Sequence, residues 1–223
     1  MKKVLILATG GTISSHAGAD GMVPQTAPAE LMGALEKFGR YYDITYRAIL
    51  NLDSSNIQPE EWQIIARSVY EALPDYDGIV ITHGTDTMAY TASMLTFMLQ
   101  NLDKPVVFTG SQIPIESPLS DAQSNLATAL AAIDHNVEGV TIAFNHKLIR
   151  GCRAVKVRTM GFDAFESVNF LNEGEFFADG VRLLNDRVAP RGRQCELKCS
   201  LCSDVVLLKL IPVTNPEIFE RLK

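Results

Sequence analysis

Four short stretches of this 223-residue chain combine glycine with hydroxyl, amide and carboxylate side chains. They are Thr9-Gly10-Gly11-Thr12, Asn51-Leu52-Asp53-Ser54-Ser55-Asn56, His83-Gly84-Thr85-Asp86 and Thr109-Gly110-Ser111-Gln112. Core packing requires none of these groups. A small polar pocket does, because glycine lets the backbone approach a substrate closely and leaves N–H groups for a developing oxyanion. A hydroxyl such as that of Thr12 becomes a useful nucleophile once a neighbouring base takes its proton. Lys156 lies in Arg153-Ala154-Val155-Lys156-Val157-Arg158. It reads either as a solvated strand lysine or, given burial and a partner carboxylate, as a group that handles such a proton.

Plainer readings stand beside the chemical ones. Thr85 and Asp86 can cap the helix that follows them, a role compatible with binding because a helix N-terminus favours negative charge. Ser54 and Ser55 are turn residues, or donors to a substrate carboxylate. His83 packs or acts. His16 and His146 carry no local signal. Thr9–Thr12 has neither the spacing of a dinucleotide fingerprint nor a P-loop lysine. A flavodoxin-like nucleotide module is therefore a remote alternative.

The elements that must position these residues are legible from periodicity. Strands are expected at Val4–Ala8, Ile44–Leu50, Gly78–Thr82, Pro105–Thr109, Gly139–Phe144 and Asp204–Ile211, several of them apolar throughout. Helices are expected at Pro28–Phe38, Pro59–Leu73, Asp86–Leu99 and Asp121–Ile133. Alternating strands and helices predict an α/β fold: a doubly wound, mostly parallel sheet with helices on both faces. Ligands of such sheets bind beyond the carboxyl ends of the strands, where all four polar stretches fall. Residues 13–27 show neither period and read as a long loop. Near the end, Thr214-Asn215-Pro216-Glu217 reads as a helix start barely two turns before Lys223, the mark of a chain that continues.

Composition excludes several classes. The net charge is −6 and charged residues make up 21%, with no basic cluster, so no nucleic-acid partner is expected. The apolar runs are strand-sized, so no membrane span is expected. The opening Met1-Lys2-Lys3 and its apolar run stop at Gly10-Gly11, too soon for a signal peptide, and the cytoplasm is the expected compartment. Cys152, Cys195, Cys199 and Cys202 could supply zinc ligands. The C-x3-C-x2-C run lacks a paired C-x2-C knuckle, so free thiols and no metal or other cofactor are expected.

Ala8-Thr9-Gly10-Gly11-Thr12-Ile13 together with His83-Gly84-Thr85-Asp86-Thr87-Met88-Ala89-Tyr90 resembles the paired signature of bacterial-type L-asparaginases. Thr109-Gly110-Ser111-Gln112-Ile113-Pro114 and Gly161-Phe162-Asp163-Ala164-Phe165 resemble the cytoplasmic, type I branch. The resemblance runs from Met1 to about Pro212. It implies an amidohydrolase in which Thr12 attacks the side-chain amide of L-asparagine, while Thr85, Asp86 and Lys156 form a second catalytic group. It further implies that Gly11, Asp53, Ser54, Ser55, Gly84, Thr85 and Asp86 bind the amino acid and that N–H groups at Thr12 and Thr85 form an oxyanion hole. Homodimers or homotetramers are implied as well. Relatives place a tyrosine in the loop after the first threonine, as Gly-Tyr-x-Pro; the matching stretch here is Gly21-Met22-Val23-Pro24. They also carry a smaller C-terminal α/β domain. Residues 1–190 are thus expected to form the asparaginase N-terminal domain, 191–213 a last strand and connection, and 214–223 the start of that second domain, most of it missing. The alternatives are a glutaminase-type amidase subunit for tRNA-linked amidation and a catalytically silent fragment that only binds amino acid. The first typically has an extra N-terminal domain, and a threonine at position 12 argues against that reading.

Overall fold

The structure is a computed structural model that describes residues 1–18, 21–24, 28–184, 193–202 and 204–222. Its centre is an eight-stranded sheet. Five strands run parallel: β1 (Lys2–Gly10), β4 (Tyr42–Leu52), β5 (Gly78–Thr82), β7 (Pro105–Thr109) and β8 (Gly139–Phe144). The others are β9 (Lys147–Arg150), β12 (Gly174–Phe177) and β13 (Gly180–Leu183), each antiparallel to its neighbour. The order is β13-β12-β9-β8-β7-β5-β1-β4. Three two-stranded ribbons complete the strands: β2 (Ser15–Gly18) with β3 (Gly21–Pro24), β6 (Leu99–Gln100) with β14 (Glu196–Leu197), and β10 (Ala154–Lys156) with β11 (Phe165–Ser167).

Alternating residues of each central strand enter opposite layers, as the period of two requires. Leu5, Leu7, Ile79, Ile81, Val106 and Phe108 pack under α2 (Pro59–Ala72) and α3 (Met88–Met98). Val4, Ile6, Val80 and Val107 pack under α1 (Ala29–Phe38) and α4 (Ala122–Asp134). Helices cover both faces, and the fold is the expected doubly wound α/β sheet with an antiparallel margin.

Several local expectations are corrected. Residues 13–27 are not a structureless loop: a 3-10 turn at Thr12–Ser14 leads into the β2–β3 ribbon, although residues 19, 20 and 25–27 lie outside the described residues. Helix α3 begins at Met88 rather than Asp86, which leaves Thr85–Thr87 as a turn ahead of it. Asp204–Ile211 is not a strand. Most of its side chains stand in solvent, Leu207 being 94% exposed, and among the described residues no other strand supplies the ladder partners that an apolar run needs. A short helix α5 (Glu217–Arg221) does follow, with the Asn215 side chain accepting from Glu217 N at 3.0 Å. The expected boundary at residues 190 and 191 lies outside the described residues.

Candidate active site

Four strand ends converge where two glycines touch. Gly11 has φ +85°, and a Cβ there would lie 2.4 Å from Gly84 N and 2.5 Å from Gly84 Cα. Both the left-handed backbone and the contact demand glycine. A Cβ on Gly84 would in turn lie 2.5 Å from Ser54 Oγ. Gly11 N donates to Leu52 O at 3.2 Å, which binds the end of β1 to the end of β4. This packing places Thr12, Ser54 and Thr85 around one point. Thr12 opens its 3-10 turn, half-buried, while Ser54 and Thr85 are buried.

Lys156 reaches the same point from β10. Lys156 Nζ donates to Thr85 Oγ1 at 2.8 Å and pairs with Asp86 Oδ1 at 2.7 Å. Its side chain is only 13% exposed, against 59% for Asp86, so the ammonium is held at the wall while the carboxylate faces the opening. The ribbon is anchored from behind. Lys156 pairs with Phe165, which is buried and meets Phe144 edge-to-face at 5.0 Å, and Val157 N donates to Ala164 O at 2.8 Å. Beside Asp86 and Lys156 opens a cavity of about 450 Å³, which Tyr90, Ser93, Arg158 and Thr159 also line.

Gln112 completes the network. Its Nε2 donates to Thr159 O at 3.0 Å and Gly161 O at 2.9 Å. That fixes which end of the amide turns toward Thr85, and the Thr85 hydroxyl donates to Gln112 Oε1 at 3.2 Å. With its proton on Gln112, Thr85 Oγ1 offers a lone pair to Lys156. Asp121 holds Gln112 in turn, its carboxylate accepting from the N–H groups of Gln112 (3.0 Å) and Ile113 (3.2 Å) and from Asn125 Nδ2 (2.9 Å). Sequence reasoning missed Gln112 and Asp121 as site residues. Gln112 stood in one of the four strand-end stretches, which was the available signal; Asp121 looked only like a helix start.

The sequence-predicted residues divide. Gly11, Thr12, Ser54, Gly84, Thr85, Asp86 and Lys156 come together as described. Asp53 and Ser55 sit on the 3-10 turn Ser54–Asn56 and its cap, tied to one another: Asp53 Oδ1 accepts from Ser55 Oγ at 2.7 Å and Ser55 N at 2.8 Å. Those two bonds hold the Asp53 carboxyl below its ordinary range, the hydroxyl contributing most. The Thr87 hydroxyl locks the same turn to the α3 end through Ser54 O at 2.7 Å. Among the described residues, the backbone N–H groups of Thr12 and Thr85 make no hydrogen bond, nor does the Thr12 hydroxyl. His83 is fully buried; desolvation lowers its pKa to about 4, partly opposed by its ring bond to Gly84 O at 2.7 Å. It is therefore a neutral packing residue at neutral pH. The four cysteines are free thiols, and among the described residues no helix is long and apolar enough to cross a membrane.

Known proteins resemble this chain in sequence and fold. The asparaginase N-terminal family model matches residues 3–189. The L-asparaginase of Thermococcus kodakarensis is 42% identical over 223 residues, covering 99% of this chain and 67% of that protein. Its solved structure superposes with a TM-score of 0.89 at 41% identity. L-asparaginase 1 of Escherichia coli K12 is 44% identical over 198 residues, 86% of this chain and 58% of the relative. A glutamyl-tRNA(Gln) amidotransferase component of Thermococcus kodakarensis is 37% identical over 237 residues, 100% of this chain and 53% of the relative. The chain thus spans between about half and two thirds of the length of these three relatives. Sequence and fold agree, and the chain belongs to the asparaginase family, on the type I side of it.

Proposed function

We propose that this chain carries the catalytic machinery of an L-asparaginase, which hydrolyses L-asparagine to L-aspartate and ammonia. The observation that carries the reading is the contact of Lys156 Nζ with both Thr85 Oγ1 and Asp86 Oδ1, beside a threonine held at the end of β1. Thr12 Oγ attacks the side-chain amide carbon. The N–H groups of Thr12 and Thr85 receive the oxyanion, and the loss of one such donor typically lowers the rate by about 10²–10³. The C–N bond breaks, the nitrogen takes up the proton that Thr12 gave, and ammonia leaves an ester on Thr12. Water then attacks that ester, its proton relayed through the Thr85 hydroxyl beside Lys156 to Thr12 Oγ as the bond between the acyl carbon and Thr12 Oγ breaks, and aspartate is released.

Recognition of the substrate follows its charges. Asp86 faces the opening and suits an α-ammonium group; Ser54 and the neighbouring turn suit an α-carboxylate. The Ser55 hydroxyl serves that carboxylate by turning away from Asp53. Met22 stands on β3 where relatives have tyrosine, so the proton of Thr12 passes to water or to another group rather than to a phenol. Residues 1–190 bear the chemistry, and the exposed apolar run at 204–211 leads to a second domain. The functional form is a homo-oligomer in the reducing cytoplasm, in keeping with four free thiols.

The test is ammonia release from L-asparagine and L-glutamine by the chain and by its Thr12→Ala and Lys156→Ala variants. Turnover of asparagine that both variants lose supports the threonine mechanism. Faster turnover of glutamine favours the glutaminase-type reading, to which the amidotransferase relative gives weight. Calorimetric binding of aspartate without any ammonia release identifies a silent binding protein and overturns the enzyme.

A further inference from the structure

The eight-stranded sheet ends on one side in β4, whose outer edge pairs with nothing among the described residues. Natural proteins usually guard such an edge with proline, lysine, a bulge or a short strand. From Tyr42 to Ala48, β4 carries no proline, lysine or bulge, and its charged side chains are one acid and one base, Asp43 and Arg47. It is 11 residues long and reads Tyr-Asp-Ile-Thr-Tyr-Arg-Ala-Ile-Leu-Asn-Leu, and its pairing with β1 is regular from Tyr42 to Ala48.

Its side chains have a symmetry of their own. Asp43, Thr45 and Arg47 alternate on the exposed face, while Ile44 and Tyr46 lie half-buried on the other, against the layer of α1. Asp43 and Arg47 form no ion pair among the described residues, and Lys3, the register partner of Asp43 on β1, forms none with it. An antiparallel copy of the same strand, centred on Thr45, brings Asp43 of each copy opposite Arg47 of the other. On the second face it brings Ile44 opposite Tyr46, twice. Opposite charges and aromatic–β-branched pairs directly across two strands are the favourable cross-strand pairs. A contact between identical copies requires a patch that is complementary to itself, and a foreign strand requires no such palindrome. Room exists on both sides. A groove of about 540 Å³ runs under the edge between Met32, Leu35, Tyr42 and Tyr46, and a polar depression of about 500 Å³ lies opposite, beside Lys3, Asp43, Thr45 and Tyr76.

We propose that β4 joins two copies of this chain, antiparallel about a twofold axis at Thr45, so that one sheet continues from copy to copy. The contact is independent of the chemistry at the strand ends, since residues 42–48 precede the part of β4 that reaches Gly11.

Sedimentation equilibrium of the whole chain, of Asp43→Arg, of Arg47→Asp and of the double swap tests the charge pairing. Each single reversal sets like charges opposite one another twice, and the dissociation constant of the contact rises about tenfold or more. The double swap restores opposite charges and returns the constant to within about twofold of the native value. Unchanged secondary structure by circular dichroism shows that the exposed substitutions leave the fold intact. A Thr45→Cys chain, mildly oxidised and mapped by peptide mass spectrometry, locates the axis. A disulfide joining position 45 of two copies is expected, and it disappears when Asp43→Arg is added. A chain that is monomeric throughout, an association that all three charge variants retain, or the absence of a 45–45 disulfide would each overturn the proposal.

Discussion

Two stretches of this chain read alike and behave in opposite ways. Val4-Leu5-Ile6-Leu7 and Val205-Val206-Leu207-Leu208 are both aliphatic, strand-sized runs. The first is wholly buried at the centre of the sheet; in the second, Val205, Val206 and Leu207 are 76%, 75% and 94% exposed. The difference lies in their neighbours. β1 has β4 on one side and β5 on the other, with helices above and below. Residues 204–211 have no ladder among the described residues. Apolar character is thus a demand for partners, and only where partners meet it does a strand form and present its end as a site. Gly11, Thr12 and their contacts exist because β1 is held from every side.

The contrast can be broken by mutation, and the largest effect falls at the strand ends. Lys156→Ala or Thr12→Ala should lower kcat for asparagine hydrolysis by about 10⁴, a magnitude known for members of a catalytic triad. Leu207→Ser in the same assay should change nothing. Equal losses in all three variants would erase the distinction between the two regions.

Leu7→Ala should cost about 2–5 kcal/mol in urea unfolding, because it leaves a cavity in a closed layer. Gly11→Ala should cost about 3 kcal/mol, from a left-handed backbone and an overlap with Gly84. The same measurement on Leu207→Ala should give less than about 0.5 kcal/mol, since its side chain is already in water.

His83 sharpens the comparison with pH. Its pKa falls from 6.5 to about 4 in the folded chain because burial opposes the charged ring. Between those values the unfolded chain binds a proton that the native chain refuses, so stability increases with pH in that window. The contribution is complete above about pH 6.5 and is lost as the pH falls to about 4, for a total of roughly 3 kcal/mol. His83→Gln should flatten that share of the curve in unfolding series between pH 4 and 7.5. The smallest effect is kinetic: amides of residues 205–211 should exchange with deuterium within seconds, while those of β1 should wait for global opening.

The sequence by itself determined the central strands and four helices within a few residues, since hydrophobic period depends only on the chain's own order. It also set four polar stretches at strand ends, with Thr12, Thr85 and Asp86 among their residues, whereas Lys156 lies outside those stretches and is singled out by resemblance to the family. What the tertiary structure alone decided involves partners distant along the chain. The β9–β12–β13 margin is one case, formed by short strands, β13 without a single buried residue, that are set by antiparallel pairing with neighbours rather than by a pattern of their own. The bond from Gln112 to Thr85, steered by two carbonyls at Thr159 and Gly161, is another. The solvent-exposed state of residues 204–211 is a third. Periodicity records what a segment can bury; whether it is buried, and which groups meet across the resulting gap, depends on contacts that no local stretch of sequence contains.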